Sequence, residues 1–321
     1  MLRALFGFNW RESPAHLLFL SKFLRPRTVD DFSKSGAWKA VLRESPQKAV
    51  QRFLKEGMLE HADLAGLLDY EYKVSDLKSM LKEHGLPVSG RKKDFIERLI
   101  QSDPEGMKKA THGLRVLQCS QQGRAIAEQY LAREKEKRTS VEQQVLNLLR
   151  QRRFREASLL VASFESEQVF PRGLGIDWRN YDPTHDVKVL NIIFGSKPRI
   201  LASLNDEHLD QLRIAAGMMH LWGTNKAKGW LPPDFKTTLS MDNDAAARMI
   251  VFHATHQVQI AQYRKVGVKK VKIITANDTY VCEVCRELAS KEYELSQVPE
   301  LPHEKCRSEM GCRCTAVVAD F

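Results

Sequence analysis

Five of the six cysteines, Cys282, Cys285, Cys306, Cys312 and Cys314, crowd into the last 40 residues of a 321-residue chain. Cys282-Glu283-Val284-Cys285 sets two thiols on one tight turn, and the other three return after a spacer. An odd cluster with C-x-x-C and C-x-C spacings fits metal ligation better than a disulfide framework, because thiolates paired on tight turns supply the corners of a tetrahedral site. Zinc stabilises small modules that lack apolar area for a core, and thiolates close its coordination sphere to water, so the expected role is structural. Four ligands suffice. The preferred quartet is Cys282, Cys285, Cys306 and Cys312, with Cys314 as first alternate and His303 as a further candidate. A catalytic zinc is not expected, since His303-Glu304 lacks the second histidine of a zinc-protease helix.

The remaining composition is that of a globular chain, with 43% hydrophobic and 28% charged residues. Fifty Lys+Arg against 40 Asp+Glu leave a formal charge of +10, which points to a polyanionic partner. No apolar stretch approaches the ~20 residues of a membrane span, and the N-terminal MLRALFGFNW has no signal-like apolar core, so no membrane partner is expected.

The pattern divides into an N-terminal helical region (1–72), a basic helix-loop-helix (73–104), a helical hairpin region (105–169), an irregular middle (170–235) and a C-terminal domain (236–321). Pro26, Pro46 and Gly57 punctuate the first region. In the third, Ser140 and Gln143 have the spacing of a capping box, and two antiparallel helices are the simplest packing. The basic residues between Arg133 and Arg155 alternate with acids as solvated helix faces do. After the Pro232-Pro233 turn, a helix from Asp244 to Val266 ends at Gly267, and a strand from Val271 to Thr275 leads to the cysteines.

Between Val74 and Gln101 two short helices are expected. Ser75 caps the first, which buries Leu77, Met80 and Leu81 and stops at Gly85 and Pro87. The second follows Ser89-Gly90 and buries Phe95, Ile96, Leu99 and Ile100. Ser89, Gly90 and the following amides lie at a helix N-terminus, where free N–H groups favour a phosphate. Arg91, Lys92 and Lys93 surround that end, with Lys92 the strongest single candidate. Arg98 lies further along, as a phosphate contact or as a partner of Asp94.

Leu77-Lys78, Leu81-Lys82, Gly85-Leu86-Pro87-Val88-Ser89-Gly90, Lys92-Lys93 and Ile96-Glu97-Arg98-Leu99 together resemble the SAP domain. The resemblance implies a helix-loop-helix unit that binds double-stranded DNA, often preferring AT-rich tracts read through backbone and groove shape. Contacts of that kind position a protein without reading sequence and should be salt-sensitive.

A second resemblance covers about 245–321. Tyr263-Arg264-Lys265-Val266-Gly267-Val268, the strand Val271-Lys272-Ile273-Ile274-Thr275, the segment Asp278 to Cys285, and the closing Pro302-His303 and Cys312-Arg313-Cys314 look like the C-terminal domain of phage Mu F-type minor head proteins. That family closes on a compact His-Pro-x-Cys-Arg-Cys, whereas here Glu304 to Gly311 interrupts the ending and adds Cys306. The family's Thr-Glu after the helix arginine is Met249-Ile250. This resemblance implies an assembly or interaction role, with portal, capsid or another protein as partner, in the bacterial host cytoplasm or on a virion.

Other constellations are weaker. Asp177, Asp182, His185 and Asp186 read as a polar turn around Pro183 rather than a nuclease metal cluster. His253 and His256 share a helix face without a carboxylate partner, and Trp178, Trp222 and Trp230 read as core rather than as base-stacking platforms. Arg264, Lys265, Lys269, Lys270 and Lys272 either extend a DNA track or edge a helix-to-strand junction. No catalytic constellation is assigned. The expected fold is mainly α and multi-domain, a SAP-like helix-loop-helix plus a small α+β, zinc-stabilised C-terminal domain. The expected function is DNA binding; the alternatives are a DNA-processing or antiphage effector and a head-assembly protein.

Overall fold

The computed structural model describes residues 8–34, 36–227, 229–237 and 239–319. Residues 1–7 of the stretch read for a signal core lie outside them. The chain forms two compact units, 1–137 and 138–321, and is mainly helical.

The first unit opens with α1 (Pro14–Ser21), α2 (Asp30–Ser33), α3 (Gly36–Leu42) and α4 (Pro46–Lys55). Pro46 stands at the first position of α4, where its missing N–H costs nothing, and Ser45 Oγ accepts from Lys48 N at 3.2 Å. After α4 comes β1 (Leu59–His61), then α5 (Leu64–Glu71), α6 (Val74–Glu83), α7 (Lys92–Ser102), α8 (Pro104–Ala110) and β2 (Leu117–Cys119). β1 and β2 pair antiparallel, with Leu59 opposite Cys119 and His61 opposite Leu117.

That ribbon redraws the expected linear division. One core joins Trp10, Phe19, Phe23, Phe53 and Met58 to Leu117, Cys119, Ala127 and Tyr130, segments on both sides of the helix-loop-helix. The residues between β1 and β2 carry a separate core of Leu68, Leu77, Leu81, Phe95, Ile96, Leu99 and Met107. The basic module is therefore an insertion, and it includes α5 and α8, which contribute Leu68 and Met107 beyond the expected 73–104. Burial raises the Cys119 thiol to about 12, which suits an inert core residue donating to Leu20 O.

Next comes α9 (Gln121–Arg150), and the division between the units falls inside it. The capping box expected at Ser140 is not used: α9 runs through it, and Ser140 Oγ accepts from Gln144 Nε2 at 3.4 Å instead. Glu, Lys, Arg and Gln around Ser140 all favour helix, so the box spacing has no break to cap. The charged stretch behaves as a solvated face, with Lys137–Glu134 at 3.2 Å and Arg138–Glu142 at 2.8 Å.

In the second unit, α10 (Phe154–Ser166), α11 (Thr184–Gly195), α12 (Asp206–Trp222) and α13 (Asn243–Lys265) pack around one core. α10 packs on α11 and α12, and α13 packs on α11 and α12. The middle region is thus more helical than expected, and Pro232-Pro233 marks no boundary, since Leu190, Leu212, Ile250, Cys285 and Cys312 share that core. Gly267 N donates to Arg264 O at 3.2 Å and Val268 N to Tyr263 O at 3.0 Å, closing α13 where the sequence places its end. β3 (Lys270–Ile274) then forms the centre of an antiparallel sheet, flanked by β4 (Glu292–Glu294) and β5 (Thr315–Val318), with α14 (Glu283–Ala289) between β3 and β4. Val271 and Ile273 point inward while Lys270 and Lys272 point out, as a half-buried strand requires.

Candidate nucleic-acid interface and metal centre

The five clustered cysteines converge. Cys282 is the N-cap residue of α14 and Cys285 lies one turn in; Cys306 follows a turn in which its N–H donates to His303 O at 3.0 Å; Cys312 and Cys314 precede β5. Cys282 and Cys306 sulfurs are 3.7 Å apart, Cys285 and Cys306 3.6 Å, and Cys285 and Cys312 3.9 Å. A tetrahedron of thiolates ~2.3 Å from a central zinc has edges of about 3.8 Å, so the donors fit the group that their spacing implies. Two triads meet the geometry, Cys282/Cys285/Cys306 and Cys285/Cys312/Cys314, and Cys285 belongs to both. All five are free thiols, and a void of about 10 Å³ lies against Cys282, Cys285 and Cys306. These cysteines could bind a metal.

Such crowding does not let every thiol behave alike. Hydrogen bonds from Cys285, Cys306 and Cys314 push the Cys312 thiol down, while those with Cys306, Cys312 and Cys314 push Cys285 up. Arg313, between Cys312 and Cys314, donates to Asp278 through both terminal nitrogens at 2.7 and 2.6 Å, tying the tail to the turn before Cys282. His303 sits outside both triads, its Nδ1 accepting from Lys305 N at 3.2 Å.

The helix-loop-helix is built with one device used twice. Asp76 Oδ2 accepts from Lys73 N at 2.9 Å and Asp94 Oδ2 from Arg91 N at 2.8 Å, so each helix starts with a basic N-cap residue and an aspartate three positions on. Ser75, expected as the cap of α6, instead lies inside its first turn and donates to Asp76 Oδ1 at 3.0 Å. Backbone hydrogen bonds from Lys73 hold the Asp76 carboxyl below its ordinary range, ahead of the Ser75 contribution. Gly85, at φ +66°, ends α6: its N–H donates to Lys82 O at 3.0 Å and that of Leu86 to Leu81 O at 2.8 Å.

Gly90 adopts φ +121°, and a Cβ there would stand 2.7 Å from Asp94 Oδ2. Its glycine is required by backbone and by space, before any ligand is considered. Arg98 Nη1 donates to Pro87 O at 2.8 Å and Ser89 O at 2.7 Å, across the loop from α7. Arg98 thereby braces the loop from α7. The amide expected to greet a phosphate at Arg91 is likewise already used by Asp94.

The cations divide into two kinds. Lys92 is only 29% exposed and its ammonium lies 3.0 Å from Asp69 Oδ1 on α5. Lys93 is 84% exposed, with Glu97 at 3.7 Å, and Arg91 is exposed beside it. Arg91 and Lys93 are thus the open charges of the tip.

Residues 71–104 match the SAP domain. No curated protein and no solved structure matches the chain. The SAP match suggests DNA binding, and it spans α6, the loop and α7 with the cations just described. The capping role of Asp94 and the pairing of Asp69 with Lys92 escaped sequence reasoning. Asp94 could have been found from its position three residues after the cap; Asp69 could not, because its contact with Lys92 spans 23 residues.

Elsewhere, the suspected acidic cluster separates into three local jobs. Asp177 accepts from Arg179 N and Asn180 N, Asp182 from Thr184 N and Oγ1, and Asp186 from Tyr181 Oη at 2.6 Å and pairs with His220 Nε2 at 3.0 Å. Among the described residues none of these acids joins a metal-ligating group. Trp178 and Trp222 are buried, as are His253 and His256.

Proposed function

We propose that the protein binds double-stranded DNA by its phosphate backbone through the SAP module, with Arg91 and Lys93 making first contact and Lys92 exchanging Asp69 for phosphate. The observation that carries this reading is the SAP match over a tip that presents exposed cations. Ser89 and Gly90 shape the approach of the backbone and Arg98 maintains the loop. Few phosphates are contacted, so affinity is weak, shared among sequences and falls with salt at ~0.9 in log K against log salt per contact. Binding of the full chain to AT-rich and mixed duplexes at rising salt tests it: similar affinities that fall together support the reading, and salt-independent binding refutes it.

The cysteine centre, in this reading, holds one structural zinc through Cys282, Cys285, Cys306 and Cys312, with Cys314 as alternate. The ion would link α14 to the segment before β5. The order of α13, β3, C-x-x-C and the C-x-C ending follows the resemblance to Mu F-type minor head proteins, which favours an assembly or protein-interaction role for the second unit. Co-purification with portal or capsid subunits would support that role, and their absence from purified complexes in infected cells would remove it.

A further inference from the structure

In the second unit, α11, α13 and the segment before Leu301 enclose a cleft of about 940 Å³. That is the size of sites that take cofactor-sized ligands, ~300–1,000 Å³. Its lining has three characters. Ile192, Val258, Ile260 and Val298 give it an aliphatic wall. Lys188, Arg264 and Lys265 stand exposed along it, and none closes an ion pair among the described residues. Glu300, the one acid in the lining among the described residues, is already engaged, with Arg199 Nε at 3.2 Å. The cleft is therefore net positive.

The third character is a buried acceptor. His256 lines the cleft, is 8% exposed, and its Nδ1 has no hydrogen-bond partner. Burial holds the ring's pKa below its ordinary value, so the imidazole is neutral and keeps one ring nitrogen as an acceptor. A buried acceptor of this kind costs stability until a donor meets it.

Cations for an anion, an aliphatic wall for a flat ring and an acceptor for a hydroxyl or amine are the complement of a nucleoside phosphate. We propose that this cleft binds a nucleotide through its phosphate group, supplied either as a free mononucleotide or as the terminus of a nucleic-acid strand. The site is separate from the SAP module in sequence and in chemistry, because it closes around one nucleotide rather than tracking a duplex backbone.

The test titrates the full chain with a fluorescent ATP analogue, a ligand too small to span the SAP tip. Saturable binding is expected, weakened about tenfold by Arg264→Glu with Lys265→Glu, as loss of paired charge at a site predicts. Ala261→Trp, which fills the cleft from an exposed position, should weaken it as much without changing charge. Lys93→Glu should leave it unchanged. Displacement by unlabelled ATP in preference to a 5′-phosphorylated single strand assigns the free nucleotide; the reverse assigns the strand end. Absence of saturable binding overturns the proposal. So does binding that survives Ala261→Trp, which would reveal unspecific attraction to surface charge.

Discussion

The Lys92 ammonium lies 3.0 Å from the Asp69 carboxylate, joining the tip of α7 to a helix that precedes the SAP match. The ammonium also donates to the Asp69 carbonyl, so the cation that looks most available in the sequence is held by its own protein. DNA must compete with that pair, and this shapes what substitutions around it will do.

Replacing Asp69 with Asn should strengthen duplex binding. The pair is partly exposed and worth at most ~1 kcal/mol, so the gain is limited to about fivefold at low salt. Fluorescence anisotropy with a labelled duplex measures it; an affinity that falls would show that Asp69 positions Lys92 productively.

Leu68 and Met107 lie outside the expected helix-loop-helix of residues 73–104 yet are fully or almost fully buried in its core. Leu68→Ala should cost ~2–5 kcal/mol, as for other buried leucines. A fragment of residues 62–116 should accordingly unfold at higher denaturant than one of residues 73–104, which lacks both side chains.

For the cysteine centre, elemental analysis should find about one zinc per chain, as one four-thiolate site requires. Cys285 belongs to both triads, so Cys285→Ser should abolish metal retention, whereas Cys314→Ser should keep most of it. A chelator should lower the thermal midpoint of the wild type and leave that of Cys285→Ser where it was.

Asp186 gives the second unit an acid limit. Burial alone would raise its carboxyl, but hydrogen bonds from His220 and Tyr181 outweigh burial and hold it below its ordinary 3.8. A depressed carboxylate adds stability that is fully present above the ordinary value and is lost as pH falls through the depressed one. Asp186→Asn should therefore cost ~1–3 kcal/mol at neutral pH, with the gap from wild type narrowing in acid below 3.8. Denaturant melts across pH check both parts.

Features written locally in the chain were legible in it. The ends of α6 and α13 at Gly85 and Gly267, the alternating strand around Val271 and Ile273, and the gathering of cysteines all follow from spacing within a few residues. What failed depended on partners far along the chain. Ser140 has a cap's spacing but no broken turn, Arg98 acts on carbonyls 9 and 11 residues back, and the β1–β2 ribbon pairs residues some 60 apart. Insertion of the SAP module into the N-terminal core has no local signal, because β1 and β2 are only three residues each.

The most direct test reverses Arg91, Lys92 and Lys93 to Glu and follows duplex affinity against salt. Acids at the start of α7 suit the helix dipole, so the variant should fold. Loss of two to three phosphate contacts should weaken binding at low salt and reduce the slope of log K against log salt by about 2 to 3, at ~0.9 per contact. An unchanged affinity and slope would contradict the assignment of this tip as the DNA-binding surface.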